Sequence, residues 1–496
     1  MELELVAQPA TVAGLSRLKT LAACREGRSR SNALKIVWHD NPQHALLAAG
    51  QTLAEQRGVL RLERILPNAA TWLPAQPVPV IAEAPDPATL PEPLAPLAAF
   101  EGRETISVHR FNDQSVTLTI AKGVLRSVTA ELPAARIRLS GDEQTVRTAA
   151  LLIAGAEPVA VPLTSLAADG IALATGEPAA ARHQGAPVLP EVSPSQDLPD
   201  QPLSVTDALM HILGHLIDVI LANAPAAARN DAASPEAVHQ MRVAVRRARS
   251  AVSIFRPAVA DGMLDPVNAS LKELGARLGP TRDWDVFAAE TVPVVQQAMP
   301  ADERLERLAA AVARRRREHQ KALAAWLGSA AFRTLGIELA WFAAARFWHA
   351  AAPVAQDEPA PPPPDLAEFS RTVLQHRWKK LVGAAKRIDE LDIPSLHGVR
   401  LRAKRMRYAA EMFATLHDGK LPHRFIRRLS SLQQRLGVMN DGAVASHLLA
   451  ELGGPAGRHA YASGLVTGFL AARAASIRPR IVRAYGKFRR QHAYWT

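Results

Sequence analysis

Alternation of polar and apolar residues predicts β-strands in the first third of the chain. Residues 115–120 (Ser-Val-Thr-Leu-Thr-Ile) and 135–139 (Ala-Arg-Ile-Arg-Leu) alternate with a period of two, which is typical of half-buried strands. Gly123 and the Ser-Gly-Asp triplet at 140–142 are interpreted as turns, and residues 143–152 as a helix. This pattern predicts an N-terminal β-rich domain.

Longer apolar periodicities after residue 204 predict helices, and Pro-rich stretches divide the chain. Ser204 can cap a helix with an apolar face, and Ser234-Pro235 can open another. Consecutive prolines cannot continue a helix, so they mark loops and linkers. The predicted segments are a β-rich domain at 1–176 with a Pro-rich loop at 67–96, a linker at 177–203, and an all-α domain at 204–490, with halves 204–350 and 365–490 around a Pro-rich linker at 351–364.

The two helical halves repeat each other. Residues 239–255 resemble 397–413, and residues 271–283 resemble 429–441, with the same offset of 158 residues in both stretches. Two separate matches at one offset indicate a duplicated helical bundle. The predicted fold class is therefore a multidomain α+β protein, with a β-rich domain followed by a duplicated, all-α helical bundle.

Each copy of the repeat places cations along one face of a helix. They recur at i, i+3, i+7 and i+10, and residues such as Met241 and Phe255 form the apolar stripe. Like charges in a row repel, whereas an extended anion would stabilise them, and the arginine fork matches phosphate oxygens. A solvated helix face is the alternative, which recurrence in both halves disfavours. The candidate binding residues are His239, Arg242, Arg246, Arg247, Arg249, His397, Arg400, Lys404, Arg405 and Arg407.

A second repeated motif, Arg-Leu-Gly followed by Asp, ends at Asp283 and Asp441. We interpret it as a helix that ends at the glycine and a new helix that the aspartate caps. The alternative is that Asp283 or Asp441 orients basic side chains of a neighbouring helix.

The charge distribution points to a polyanionic partner. The chain has 496 residues and a net charge of +12, which divides into −4 for residues 1–200 and +16 for residues 201–496. Nucleic acid, a membrane surface and polyphosphate are the candidate partners, and a solvated basic surface that keeps the protein soluble is the alternative. The single cysteine, Cys24, excludes an internal disulfide and a cysteine-based zinc site. No signal peptide or membrane span is recognised, so a cytoplasmic protein is expected.

The doubled cationic motif resembles the conserved histidine α-helical domain family, CHAD. The pattern His-x-x-Arg-x-x-x-[Arg/Lys]-Arg-x-Arg occurs at 239–249 and 397–407, and Leu-Gly then Asp follows each copy. The resemblance covers about 204–490. It implies a helical bundle, in a bacterial protein, that binds inorganic polyphosphate through a basic channel and often associates with polyphosphate granules.

The first domain resembles a degenerate CYTH domain, a β-tunnel of the triphosphate tunnel type. Glu2-Leu-Glu4-Leu-Val6 is similar to the Glu-x-Glu-x-Lys opening of that family, with valine in place of lysine. Later positions depart further, because neutral residues replace expected arginines, arginines replace expected metal-binding acids, and leucine replaces a lysine. These positions are Ala54, Gln56, Arg136, Arg138 and Leu166. The departures predict a tunnel-like domain with no catalytic or metal-binding residues and no cofactor.

The expected function is therefore non-catalytic binding of inorganic polyphosphate. Nucleic-acid binding is the second hypothesis, although the cationic rows lack interleaved aromatic residues. Trp378, within a basic run, could stack on a base, but helix packing is its favoured role. A CYTH-type triphosphatase with retained activity is the third hypothesis.

Overall fold

A computed structural model describes most of the chain as two compact units. The described residues are 1–15, 17–65, 80–111, 113–177, 204–229, 231, 234–259, 262–345, 365–417, 419–454 and 457–495. The first unit comprises 1–177, 213–225 and 326–345, and the second comprises 204–212, 226–325 and 365–495. The linkers predicted at 177–203 and 351–364 lie almost wholly outside the described residues, as does 67–79 of the predicted loop. An antiparallel sheet followed by helices confirms the α+β fold class.

A nine-stranded antiparallel sheet forms most of the first unit. The strands are β1 (Glu2–Ala7), β2 (Arg25–Asp40), β3 (Gln51–Gln56), β4 (Val59–Arg64), β5 (Val80–Glu83), β6 (Ala95–Phe111), β7 (Gln114–Arg126), β8 (Glu131–Gly141) and β9 (Val159–Ala160). Their spatial order is β5-β4-β3-β2-β6-β7-β8-β1-β9. Residues of β1 to β8 line one common cavity, so the sheet is strongly curved. The strands predicted at 115–120 and 135–139 are confirmed within β7 and β8.

Two details of the predicted strand region are wrong. Gly123 is not a turn but lies within β7, opposite Gly102 of β6. A Cβ atom on Gly123 would lie 2.7 Å from the Cα of Gly102, so glycine at both positions allows the two strands to approach closely. The predicted loop at 67–96 contains strand β5 and the beginning of β6 in its described part.

Five helices complete the sequence-contiguous part of the first unit. They are α1 (Pro9–Leu15), α2 (Lys19–Ala23), α3 (Ala45–Ala48), α4 (Glu143–Ala156) and α5 (Leu166–Thr175). Trp38 and Phe100 of the sheet are buried with Ile171 of α5 in the core. A Cβ atom on Gly170 would lie 2.8 Å from the Trp38 ring, so this glycine seats α5 on the sheet. The helix predicted at 143–152 is confirmed as α4, which the side chain of Asp142 caps.

Helix α11 (Ala330–Ala345) belongs to the first unit, although the sequence placed it in the first helical half, 204–350. It packs against α4, and Arg147 donates to both carboxylate oxygens of Glu338 at 2.9 and 2.7 Å. Arg333 donates to the carbonyl oxygen of Ala154 at 3.0 Å. The helix is apolar on more than one face, and α4 covers an apolar face that would be exposed to solvent in a simple bundle.

Helices alone form the second unit. They are α6 (Val205–Ala228, in part), α7 (Ser234–Phe255), α8 (Asp265–Val286), α9 (Val292–Ala298), α10 (Glu303–Leu327), α12 (Leu366–Ala384), α13 (Ile393–Met412), α14 (Leu421–Glu451) and α15 (Ala460–Arg489). Short 3-10 turns occur at Pro87–Thr89, Arg256–Ala258 and Ala414–Leu416, and a π-helical turn at Phe287–Thr291 joins α8 to α9. The predicted start of α6 at the Ser204 cap is confirmed.

Equivalent positions of the repeat meet in the core of the second unit. Phe255 of α7 and Phe413 of α13, which are 158 residues apart, have ring centroids 5.9 Å from each other. Both rings are fully buried, and Phe369 of α12 packs against both. This arrangement brings α7 into contact with α13 and orients their cationic faces relative to each other.

One helix among the described residues, α6, is long and apolar enough to cross a bilayer. Within the structure, 83% of its most apolar window is buried. A core helix of a folded domain has these properties as well, so this helix is weak evidence for a membrane span.

The aromatic contact between the repeats gives a stability prediction. Phe413→Ala removes a fully buried ring and should lower the free energy of unfolding by about 3–5 kcal/mol. Leu421→Ala, at a position that is 55% exposed, should change it by no more than about 0.5 kcal/mol. Urea unfolding followed by the helical circular-dichroism signal measures both. A Phe413→Ala variant as stable as the Leu421→Ala variant would contradict this packing.

Candidate functional site

The cationic faces of α7 and α13 share one cavity. Its volume is about 470 Å³, and it lies in the second unit. The uncharged polar residues that line it are Ser250, Ser253 and Asn268, and the apolar part of its wall includes Val252 and Leu401. The cationic side chains that line it, together with Tyr408, are Arg246, Arg249, Arg256, Arg377, Lys404 and Arg405.

Four of the ten predicted residues line this cavity, and the others surround it in different ways. Arg246 and Lys404 occupy equivalent repeat positions, as do Arg247 and Arg405. Arg242, Arg400 and Arg407 lie close enough to Lys404 to lower its pKa. Of the two histidines, His239 is half-buried and His397 is exposed. The structure therefore brings both rows together, with His397 at the outer end.

Charge crowding across the helix interface is strongest at Lys404. Burial and, after it, the charges of four arginines that include Arg246 and Arg400 together lower the pKa of this amine from its ordinary 10.5 to about 8. Burial also lowers the pKa of the Arg246 guanidinium, and neighbouring arginines add to the effect against an opposing contribution of Tyr408. Burial and three nearby arginines lower the pKa of His239, against a smaller opposing effect of Glu236. A positive site with this little compensation favours an anion.

Sequence reasoning missed Arg377, which α12 contributes to the cavity. Its guanidinium donates to the carbonyl oxygen of Arg405 at 3.0 Å, and burial lowers its pKa to about 10. The basic run 376–380 was a signal, but the adjacent Trp378 drew the interpretation toward packing. That packing is present, because Trp378 contacts Phe425 and Phe488.

Tyr408 is a second residue that sequence reasoning did not assign to the cavity. It lines the cavity and is 3% exposed, and its hydroxyl oxygen has no hydrogen-bond partner among the described residues. The Arg407 guanidinium and the Lys404 amine lie 5.3 and 5.8 Å from the ring centroid. The ring face thus supports two cations of the row through cation–π attraction.

Glu411 pairs with cations from both helices. Arg247 of α7 donates to one of its carboxylate oxygens at 3.2 Å, and Arg407 of α13 donates to the other at 2.9 Å. Arg407 also donates to the side-chain oxygen of Gln433 at 2.8 Å. Arg247 and Arg407 are therefore partly neutralised and hold the helices in register. In the cavity wall, Arg256 is also paired, with Asp265 at 2.6 Å, whereas the other cations of the wall form no ion pair among the described residues.

The Arg-Leu-Gly motif is not a helix break. Helix α8 continues through Gly279 and Asp283, and α14 continues through Asp441. The alternative interpretation fits the geometry, because Asp283 lies 3.7 Å from a terminal nitrogen of Arg242. Gly279 of α8 faces the same guanidinium, and a Cβ atom there would make only an ordinary van der Waals contact with it, at 3.7 Å.

A separate cavity of about 300 Å³ lies inside the curved sheet of the first unit. Glu4 on β1 faces two arginines of β8, with oxygen–nitrogen distances of 3.5 Å to Arg136 and 3.4 Å to Arg138. Arg136 also donates to Asp169 at 2.5 Å. Glu63 has a raised pKa because of burial, against the opposing effects of Arg61 and Arg138. Among the described residues, no cluster of three or more His, Cys, Asp or Glu is placed to hold a metal ion.

Comparison with known proteins identifies the helical region. The CHAD domain family model matches residues 211–450. The CHAD domain from the plant Ricinus communis, a crystal structure, is 30% identical to the chain. The match covers 58% of this chain and 93% of that chain, with a TM-score of 0.47. The chain belongs to the CHAD family.

The CHAD assignment links the helical region to polyphosphate binding or metabolism. PptA from Streptomyces chartreusis is a second similar structure, with 17% identity, 57% of this chain and 100% of that chain covered, and a TM-score of 0.42. No curated protein matches the chain. The curved sheet that precedes the CHAD region is consistent with a CYTH-like tunnel.

The charge crowding in the CHAD cavity predicts an unusual pH dependence of stability. Below pH 8, Lys404 is charged in the folded and unfolded states, and its surroundings destabilise the folded one. Between pH 8 and 10.5 only the unfolded chain keeps this proton, so the contribution of Lys404 to stability rises with pH. Lys404→Met should therefore raise the free energy of unfolding at pH 7 by on the order of 2 kcal/mol.

Urea unfolding at a series of pH values measures this effect, and the gain from Lys404→Met should shrink as the pH rises above 8. Lys321→Met, at an exposed position of α10, controls for the loss of one positive charge. A gain that is absent at pH 7, or that Lys321→Met reproduces, would contradict the crowding.

Proposed function

We propose that this protein binds inorganic polyphosphate and does not transform it. The observation that carries the proposal is the shared cavity of α7 and α13, where Arg246, Lys404, Arg405 and Arg377 converge from three helices. The membership of the CHAD family gives the ligand class, and the geometry supports a site for it.

Polyphosphate fits the chemistry of the cavity. It carries about one negative charge per phosphate along a thin, flexible chain, so successive phosphates can contact successive cations of a helical row. Arginine binds phosphate oxygens through paired N–H donors, and Lys404 acts as a point charge. Burial and the repulsion of neighbouring arginines lower the Lys404 pKa, and a bound anion opposes both effects because it stabilises the charged amine.

Nucleic acid is a weaker candidate for the same cavity. Single-stranded nucleic acid is usually held by aromatic platforms as well as cations. Tyr408, the aromatic residue of the cavity, is 3% exposed, so its ring face is not available to a base. Trp378 is engaged with Phe425 and Phe488.

We further propose that the N-terminal tunnel is not a triphosphatase. Mg²⁺ prefers free carboxylate oxygens, but both oxygens of Glu4 lie near arginines. Arg136 is 7% exposed and is committed to Asp169 as well. These ion pairs place positive charge where a metal would bind. They also neutralise the carboxylates of the cavity with arginines of the same cavity.

We propose that the protein is cytoplasmic and associates with polyphosphate granules, because these granules contain the proposed ligand. Granule association would depend on the same cationic rows, so a variant that loses polyphosphate affinity should also leave the granules.

Binding variants test the proposed site. Arg246→Gln with Lys404→Gln should weaken binding of long-chain polyphosphate by about 100-fold at physiological salt, because two charged phosphate contacts are lost. Lys321→Gln with Arg371→Gln removes the same charge from exposed positions of α10 and α12, and should change the affinity by about twofold or less. Fluorescence anisotropy with labelled polyphosphate measures both.

Duplex DNA at matched phosphate concentration and salt is the competitor in the same assay. We expect polyphosphate to displace DNA from the protein. Equal losses in both double variants would mean that the cavity is not the site, and a tighter DNA complex throughout a salt series would favour the nucleic-acid hypothesis.

The tunnel proposal predicts no metal-dependent release of phosphate by the full-length protein. Mg²⁺ and Mn²⁺ should give background rates with ATP, thiamine triphosphate and tripolyphosphate, because each lost charge contact costs about tenfold to 1,000-fold in rate. A phosphate-release assay measures this. Turnover that Glu2→Gln with Glu4→Gln abolishes would restore the enzyme hypothesis.

A further inference from the structure

A second cationic cavity lies between α14 and α15. Its volume is about 350 Å³. Three side chains come from α14 and the rest from α15, and in both helices they recur at i, i+3 and i+7. The polar residues that line it are Arg428, Ser431, Arg435, Arg480, Arg483 and Lys487.

The segments of α14 and α15 that line this cavity carry no acidic residue. The chain has no aspartate or glutamate in 419–440 or in 452–496, so neither helix supplies a nearby carboxylate at this end. Among the described residues, Arg428, Arg480, Arg483 and Lys487 form no ion pair. Arg435 donates to the carbonyl and hydroxyl oxygens of Ser431 one turn earlier, which fixes its side chain without neutralising it. Five cations therefore converge without an acidic partner among the residues that the structure describes.

The cavity is distinct from the one between α7 and α13. Gln433 accepts from Arg407, so that side of α14 faces α13. At 100° per residue, Arg428, Ser431 and Arg435 lie on nearly the opposite side of α14. A ligand in the second cavity would therefore contact different side chains from a ligand in the first.

The repeat does not explain these cations. Subtracting the offset of 158 residues maps the three α14 positions onto Ser270, Glu273 and Arg277, of which only Arg277 is a cation. The α15 cations lie beyond the stretches that match between the two halves. The bundle thus folds in its first half without them, and their accumulation in the second half requires another reason.

We infer that the α14–α15 cavity is a second site for a phosphate chain, and this ligand class rests on the proposed function. Half-buried Arg428 and Arg435 form the inner wall, and exposed Arg480, Arg483 and Lys487 form the rim. Guanidinium groups on two sides can clamp successive phosphates. One protein molecule would then hold polyphosphate at two separated points, which raises its avidity for long chains over short ones.

Calorimetric titration with tripolyphosphate at physiological salt tests this inference, because a short chain reports each site separately. The wild-type protein should bind two equivalents. Arg480→Gln with Arg483→Gln and Lys487→Gln changes exposed positions only, and should weaken one of the two by about tenfold or more. Arg246→Gln with Lys404→Gln should remove the other, and Lys321→Gln with Arg371→Gln should retain both.

The outcomes separate the two proposals. If the wild-type protein binds one equivalent only, and the Arg246–Lys404 variant loses it, the second site is overturned and the proposed function stays intact. One equivalent that disappears only in the α15 variant overturns the first site and supports the second. Absence of binding overturns both. Should the triple variant unfold at a lower temperature than the wild type, Arg480→Gln with Arg483→Gln replaces it.

Discussion

Apolar packing that forces like charges together is the interaction on which the proposed site depends. Phe255 and Phe413 meet in the core, and this contact brings α7 against α13 with their cationic rows around one cavity. The hydrophobic burial offsets the cost of this site, where desolvation first and the repulsion of neighbouring arginines second hold the pKa of Lys404 low. Glu411 neutralises part of the charge through Arg247 and Arg407. What remains is a preorganised positive site whose repulsion an anion would relieve.

The duplication explains why the sequence predicted so much of this site. Two periodicities, one apolar and one cationic, recur at one offset, so the helices and their exposed faces could be read without a structure. Periodicity alone does not show which other helix closes a cavity, and Arg377 from α12 was therefore missed. The glycine motif was misread because both copies lie inside continuous helices, α8 and α14, and do not end them.

The N-terminal unit shows a different limit of sequence reasoning. The alternation of polar and apolar residues predicts its strands. A glycine such as Gly123 suggests a turn when only the sequence is considered, whereas in the sheet it pairs with Gly102 of the neighbouring strand. Helix α11 also joins this unit from far along the chain, through Arg147 and Glu338. Long-range contacts of this kind leave no periodic signal. Within the tunnel, Arg136 and Arg138 turn an acid-lined cavity into an internally paired one.

Proton uptake on ligand binding tests the central claim most directly. At pH 8, near the pKa of Lys404, calorimetric titrations of long-chain polyphosphate in buffers of different ionisation enthalpy measure the protons taken up. If polyphosphate binds between the two rows, it raises this pKa, and the protein takes up about half a proton, which Lys404→Met abolishes. No uptake, or uptake that persists in Lys404→Met, would contradict the claim that the facing rows of α7 and α13 form the binding site.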